Sequence, residues 1–83
     1  LPSTYKVRTW RGERDCFWTI AALDGVYGDG FMWKKLYEAN KDKLPDPSNP
    51  DLVEPGTVLI IPPLHGEARS GLYDHDKTYR KVK

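Results

Sequence analysis

The sequence predicts a small α+β domain of strand–helix–helix–strand order, with the two strands paired as an antiparallel ribbon and both helices packed on one face of it. Three observations predict this. Tyr5 and Val7 alternate with Lys6 and Arg8, the period-two pattern of a half-buried strand. Phe17, Ile20 and Ala21, and then Trp33, Leu36 and Tyr37, recur at i, i+3, i+4, so each set forms one buried helical face. Finally, "TVLII" at 57–61 is an apolar run bounded by Pro55-Gly56 and Pro62-Pro63, which marks a second strand. A two-stranded ribbon does not stand alone, so the helices must cover it.

The first strand is expected over 5–9, and the polar, glycine-bearing "WRGER" at 10–14 reads as a loop. Asp15 suits the N-cap of the first helix, because its carboxylate can accept from free amides of the first turn. Gly25 suits a left-handed residue that ends that helix. "VYGDG" is a turn, after which Asp29 or Gly30 caps a second helix over 31–40. Lys34 and Glu38 form an exposed i, i+4 pair, and Asn40 suits a left-handed terminator. Residues 43–57 contain Pro45, Pro47, Pro50 and Pro55, which excludes helix interior and central strand. Connections of that length tend to carry function. Pro55-Gly56 fits the centre of a type II turn.

The expected core joins Tyr5, Val7, Leu59 and Ile61 of the ribbon to Phe17, Ile20, Ala21, Trp33 and Leu36 of the helices. Residues 1–4 read as a linker stub, 5–63 as the domain, and 64–83 as an irregular C-terminal extension pinned by Leu64, Leu72, Tyr73 and Tyr79.

A net charge of +1 with interspersed signs points to neither a nucleic-acid groove nor a charged membrane surface. The basic end, "KTYRKVK", reads as a solvated tail. No apolar run approaches the roughly 18 residues of a membrane span, so membrane insertion is not expected of this segment. "LPST" at the start, with no initiator methionine, reads as part of a longer secreted protein. A single cysteine excludes an internal disulfide, and His65 and His75 match no zinc spacing, so neither metal nor cofactor is expected. Cys16 at a helix start occupies a setting that can activate a thiol. Its nearest histidine lies 49 residues away and no carboxylate pair stands out, so a catalytic role is not expected.

Three stretches resemble the LysM family: "DCFWTIA" (15–21), "WKKLYEANKDKL" (33–44) and "EPGTVLIIP" (54–62), in that order. The resemblance covers roughly residues 5–62 and implies the βααβ LysM fold, with no metal, cofactor or catalysis. It implies binding of N-acetylglucosamine-containing glycan, foremost bacterial peptidoglycan, with chitin as a related polymer. The implied role is to target a larger protein of the cell envelope, periplasmic or extracellular, to that glycan. The chain departs from the pattern in three places. Its first loop is longer, with Glu13 and Arg14 separating Gly12 from Asp15, Cys16 stands where threonine or serine is usual, and the "PSNP" segment at 47–50 is slightly expanded.

The resemblance places the sugar groove between residues 11–16 and about 40–53. The candidate binding residues are therefore Gly12, Glu13, Arg14, Asp15, Cys16, Asn40, Lys43, Leu44, Pro45, Asp46, Leu52 and Val53. Leu44, Pro45, Leu52 and Val53 would supply an apolar patch for the acetyl methyl, and loop backbone the polar partners. Trp18 and Trp33 fall on family positions in or beside the core, whereas Trp10 matches none and could either stack on a sugar or a partner or cover the end of the core. The alternative reading is a LysM scaffold whose altered loops bind another envelope protein.

Overall fold

The computed structural model describes residues 1–10 and 13–80. Among them are four strands, β1 (Thr4–Lys6), β2 (Thr9–Trp10), β3 (Glu13–Arg14) and β4 (Val58–Ile60), and two α-helices, α1 (Phe17–Ala21) and α2 (Trp33–Asn40). The α+β class and the order of the main elements are those expected. β1 pairs antiparallel with β4 in the register Thr4–Ile60, Tyr5–Leu59, Lys6–Val58. The ladder extends beyond the strands through Val7 N–H to Thr57 O (2.9 Å) and Ile61 N–H to Ser3 O (2.8 Å). Alternation turns Tyr5 and Leu59 inward onto Ile20 and Leu36, all fully buried. Every expected core residue is buried except Trp33, which is half-buried; Val26, Tyr27, Leu44 and Val53 join them.

Five local expectations are corrected. Residues 10–14 are not simply a loop, because Thr9–Arg14 and Trp10–Glu13 pair antiparallel as a second ribbon. Asp15 does not cap α1. Its carboxylate is taken by long-range partners, accepting from the Tyr5 hydroxyl (2.9 Å) and the Arg8 amide (2.8 Å) and lying 3.5 Å from the Arg8 guanidinium. Cys16 is the N-cap instead, and its amide donates to Thr19 Oγ1 at 3.1 Å. Gly25 has no positive φ, and Gly28 takes it (65°). Gly25 is small for another reason: a Cβ there would sit 2.7 Å from the Tyr79 ring and 2.9 Å from Tyr73. Glu38 pairs with Lys41 (3.1 Å) and not with Lys34.

Asn40 is the fifth and largest correction. Its φ is −129°, it is fully buried, and its amide serves as a short strand along the open edge of β4. Nδ2 donates to Leu36 O and Ile60 O (both 2.8 Å), while Oδ1 accepts from Ile60 N–H (2.7 Å). Lys43 Nζ reaches Val58 O at 3.1 Å on the same edge. Ile60 N–H, Ile60 O and Val58 O, which would otherwise invite edge-to-edge pairing, are thereby satisfied.

The flanking segments are built into the body. Thr4 bridges Leu72 in parallel, with Thr4 N–H donating to Gly71 O (3.2 Å) and Tyr73 N–H to Thr4 O (2.8 Å), so residues 71–73 line the other edge of β1. The Arg69 guanidinium binds Glu67 (2.7 Å) and the carbonyls of Pro2 (3.0 Å), Gly25 (2.9 Å) and Val26, and lies over the Tyr27 ring. Burial raises the Tyr27 hydroxyl to a pKa of about 12, and that hydroxyl donates to Pro62 O at 2.6 Å. Tyr73 packs against the rings of Tyr5 and Tyr79, and His75 against those of Tyr5 and Tyr73. Burial, followed by the charge of Arg8, lowers the His75 pKa. Leu72, expected as a pin, has an exposed side chain and joins the body through its backbone.

Candidate functional site

Helical periodicity decides which aromatic rings reach the surface. With Phe17, Ile20 and Ala21 on the buried face of α1, Trp18 stands about 100° away and is 44% exposed. Its indole covers the backbone of Gly30, where a Cβ would collide with Nε1 and Cε2. Gly30 opens a 3-10 turn over Gly30–Met32, whose N-cap Asp29 accepts from Phe31 N–H at 2.9 Å, and this turn leads directly into α2. Trp33, the first residue of α2, packs against Tyr37, and Tyr37 stacks edge-on to Phe17 (5.7 Å, 73°).

The proline-rich segment is held opposite these rings. The Tyr37 hydroxyl donates to Pro47 O. Asp46 accepts from Ser48 N–H (3.0 Å) and Ser48 Oγ (2.7 Å), and Asn49 Oδ1 from Asp51 N–H (3.1 Å). Such Asx turns stiffen a loop without a ladder. The Ser48 bonds also lower the Asp46 pKa.

Between the two sides lies an open cleft of about 190 Å³, lined by Cys16, Phe17, Trp18, Trp33, Pro50 and Asp51. Its walls are aromatic, and Asp51 is the one charged residue among the lining. Ring faces of this kind attract the C–H-bearing face of a sugar ring, and a carboxylate accepts from hydroxyl or amide N–H groups. Such a lining suits a ligand that has apolar ring faces and hydrogen-bond donors.

The cleft draws on both expected loops, through Cys16 from the first and Pro50 and Asp51 from the second, but the candidate residues scatter. Among them Cys16 alone lines it. Asp15 is held by Tyr5 and Arg8, Asn40 is buried against β4, and Lys43 is bonded to Val58 O. Leu44 and Val53 are buried in the core, so the apolar surface patch expected of them with Pro45 and Leu52 does not form. Pro45, Asp46 and Leu52 are exposed but not part of the lining. Glu13 and Arg14 lie on β3, and Gly12 falls outside the described residues. The other lining residues, Phe17, Trp18, Trp33, Pro50 and Asp51, are not among the sequence candidates; the outward phase of Trp18 is legible from the helical period alone.

Serine at position 16 is expected to leave stability nearly unchanged. The cap rests on the Cys16 amide and Thr19 Oγ1, and serine is a strong N-cap in its own right. A thermal melt of Cys16→Ser within a few degrees of the parent checks this, and a large loss would mean that the thiol itself is required.

No protein-family model matches the chain, and no solved structure matches it. The chain is 60% identical over 82 residues to Treponemal membrane protein B of Treponema pallidum (strain Nichols). The alignment takes in 99% of this chain and 25% of that protein, so the chain spans about a quarter of the length of the curated relative it matches. Among the described residues, no helix is long and apolar enough to cross a membrane.

Proposed function

We propose that this chain is a non-catalytic, LysM-like carbohydrate-binding module that attaches a larger envelope protein to peptidoglycan through its N-acetylglucosamine residues. The carrying observation is the aromatic cleft between the start of α1, the start of α2 and the proline-rich segment. The LysM-like motifs 15–21, 33–44 and 54–62 support the reading, because their junctions bring Cys16, Trp33 and the loop after α2 together. The relative's name, a membrane protein, supports placement in the cell envelope.

A second reading, a scaffold that binds a protein, is favoured by one feature. Val58 and Ile60 point away from the core on either side of buried Leu59, and Leu72 lies beside them across Thr4, leaving three exposed aliphatic side chains on the outer face of the ribbon. Cosedimentation with insoluble peptidoglycan and with chitin separates the two readings. The glycan reading expects the chain in the peptidoglycan pellet, with retention little changed by added salt because ring stacking and neutral hydrogen bonds are not screened. A chain that stays in the supernatant with both polymers contradicts it.

A further inference from the structure

Phe31 is 79% exposed, and its ring meets Trp18 edge-to-face at 4.6 Å and 73°. Trp18 belongs to the cleft, so the exposed aromatic surface runs without a break from the cleft onto Phe31. We propose that the Trp18–Phe31 corner is a second saccharide-stacking subsite, so that the site reads consecutive N-acetylated sugars and not a single residue. This rests on the glycan reading of the cleft.

The Trp18 ring and the backbone that carries Phe31 are set in place before any ligand arrives. The Trp18 indole lies on the bare backbone of Gly30, a position where no side chain fits. The backbone that carries Phe31 is fixed by its N–H bond to Asp29 Oδ1 and by the 3-10 turn that follows. Only the Phe31 side-chain torsions therefore remain to be fixed on stacking, and a limited loss of freedom favours affinity. Charges of both signs stand along this path: Asp51 lines the cleft, the exposed Asp29 accepts from Phe31 N–H, and the Lys34 ammonium lies over the Trp33 ring at 5.9 Å, so the balance favours no ionic occupant. A neutral pyranose can stack on the exposed aromatic surface of this pair, while the Asp51 carboxylate can accept from its hydroxyl and acetamido N–H groups.

Calorimetric titration of the 83-residue chain with the N-acetylglucosamine disaccharide and pentasaccharide tests the subsite. The parent should bind the pentasaccharide more tightly than the disaccharide. Phe31→Ala should weaken the pentasaccharide by about tenfold and the disaccharide by less than about twofold, the size of one stacking contact. Phe31→Tyr, which keeps the ring, should restore the parent's preference for length. Equal loss for both saccharides, or no loss for either, overturns the subsite and leaves the cleft reading standing. Failure of the parent to bind either saccharide overturns both.

Discussion

Replacing Asn40 by alanine is expected to destabilise the domain by about 2–4 kcal/mol, although the side chain removed is small and makes no ion pair. The substitution strips partners from Ile60 N–H and from the carbonyls of Ile60 and Leu36, at a site where Asn40 itself is fully buried. An unsatisfied buried donor or acceptor costs about 1–3 kcal/mol, and water reaches this edge only in part. Asn40→Asp separates hydrogen bonding from volume. It keeps an acceptor for Ile60 N–H but sets a carboxylate oxygen against two carbonyls, so it should be as damaging as alanine at neutral pH. Urea unfolding at constant slope measures both. A loss under about 0.5 kcal/mol for alanine would mean that β4 does not depend on this clamp.

Arg69→Met should cost about 3–5 kcal/mol, the size expected when one partner of a buried ion pair is removed. Methionine preserves packing along the stem over Tyr27 while leaving the carbonyls of Pro2, Gly25 and Val26 without their donor. It also leaves the Glu67 carboxylate without its cation. Burial alone would raise the Glu67 pKa, but the amides of His65 and Leu64 and the Arg69 guanidinium overcome it and hold the pKa near 2. The folded value lies below the ordinary 4.5, so this stabilisation is complete above about 4.5 and lost as pH falls through about 2. Thermal melts across that window should show the parent losing stability on acidification, and Glu67→Gln losing less of it. A flat profile for the parent would contradict the role given to Glu67.

What was legible in the sequence is what leaves a period. The alternation of Tyr5 and Val7 and the two i, i+3, i+4 faces located the ribbon, the helices and most of the core. Residues whose partners are distant were misread, because local chemistry offered a plausible use for each. Asp15 before a helix suits a cap, yet Tyr5 and Arg8 claim it from ten and seven residues away. Asn40 at a helix end suits a left-handed terminator, yet its amide is spent on Ile60, twenty residues on. The segment 64–80 shows no period because side-chain-to-backbone bonds of Arg69 and ring packing of Tyr73 and Tyr79 hold it, and neither recurs at a fixed spacing. Leu44 and Val53 looked like surface in a polar, proline-rich stretch and are core, so the cleft is walled by tryptophans instead of aliphatics.

The central claim is that the aromatic cleft holds an N-acetylated sugar, and an NMR titration of the chain with N-acetylglucosamine oligomers tests it most directly. The account predicts concerted shifts of the Cys16, Phe17, Trp18, Trp33 and Asp51 amides and of the Trp18 and Trp33 indole N–H signals, with Lys41 and Lys43 little affected. Shifts confined to residues 64–80 or to Val58, Ile60 and Leu72, or none at millimolar sugar, would contradict it.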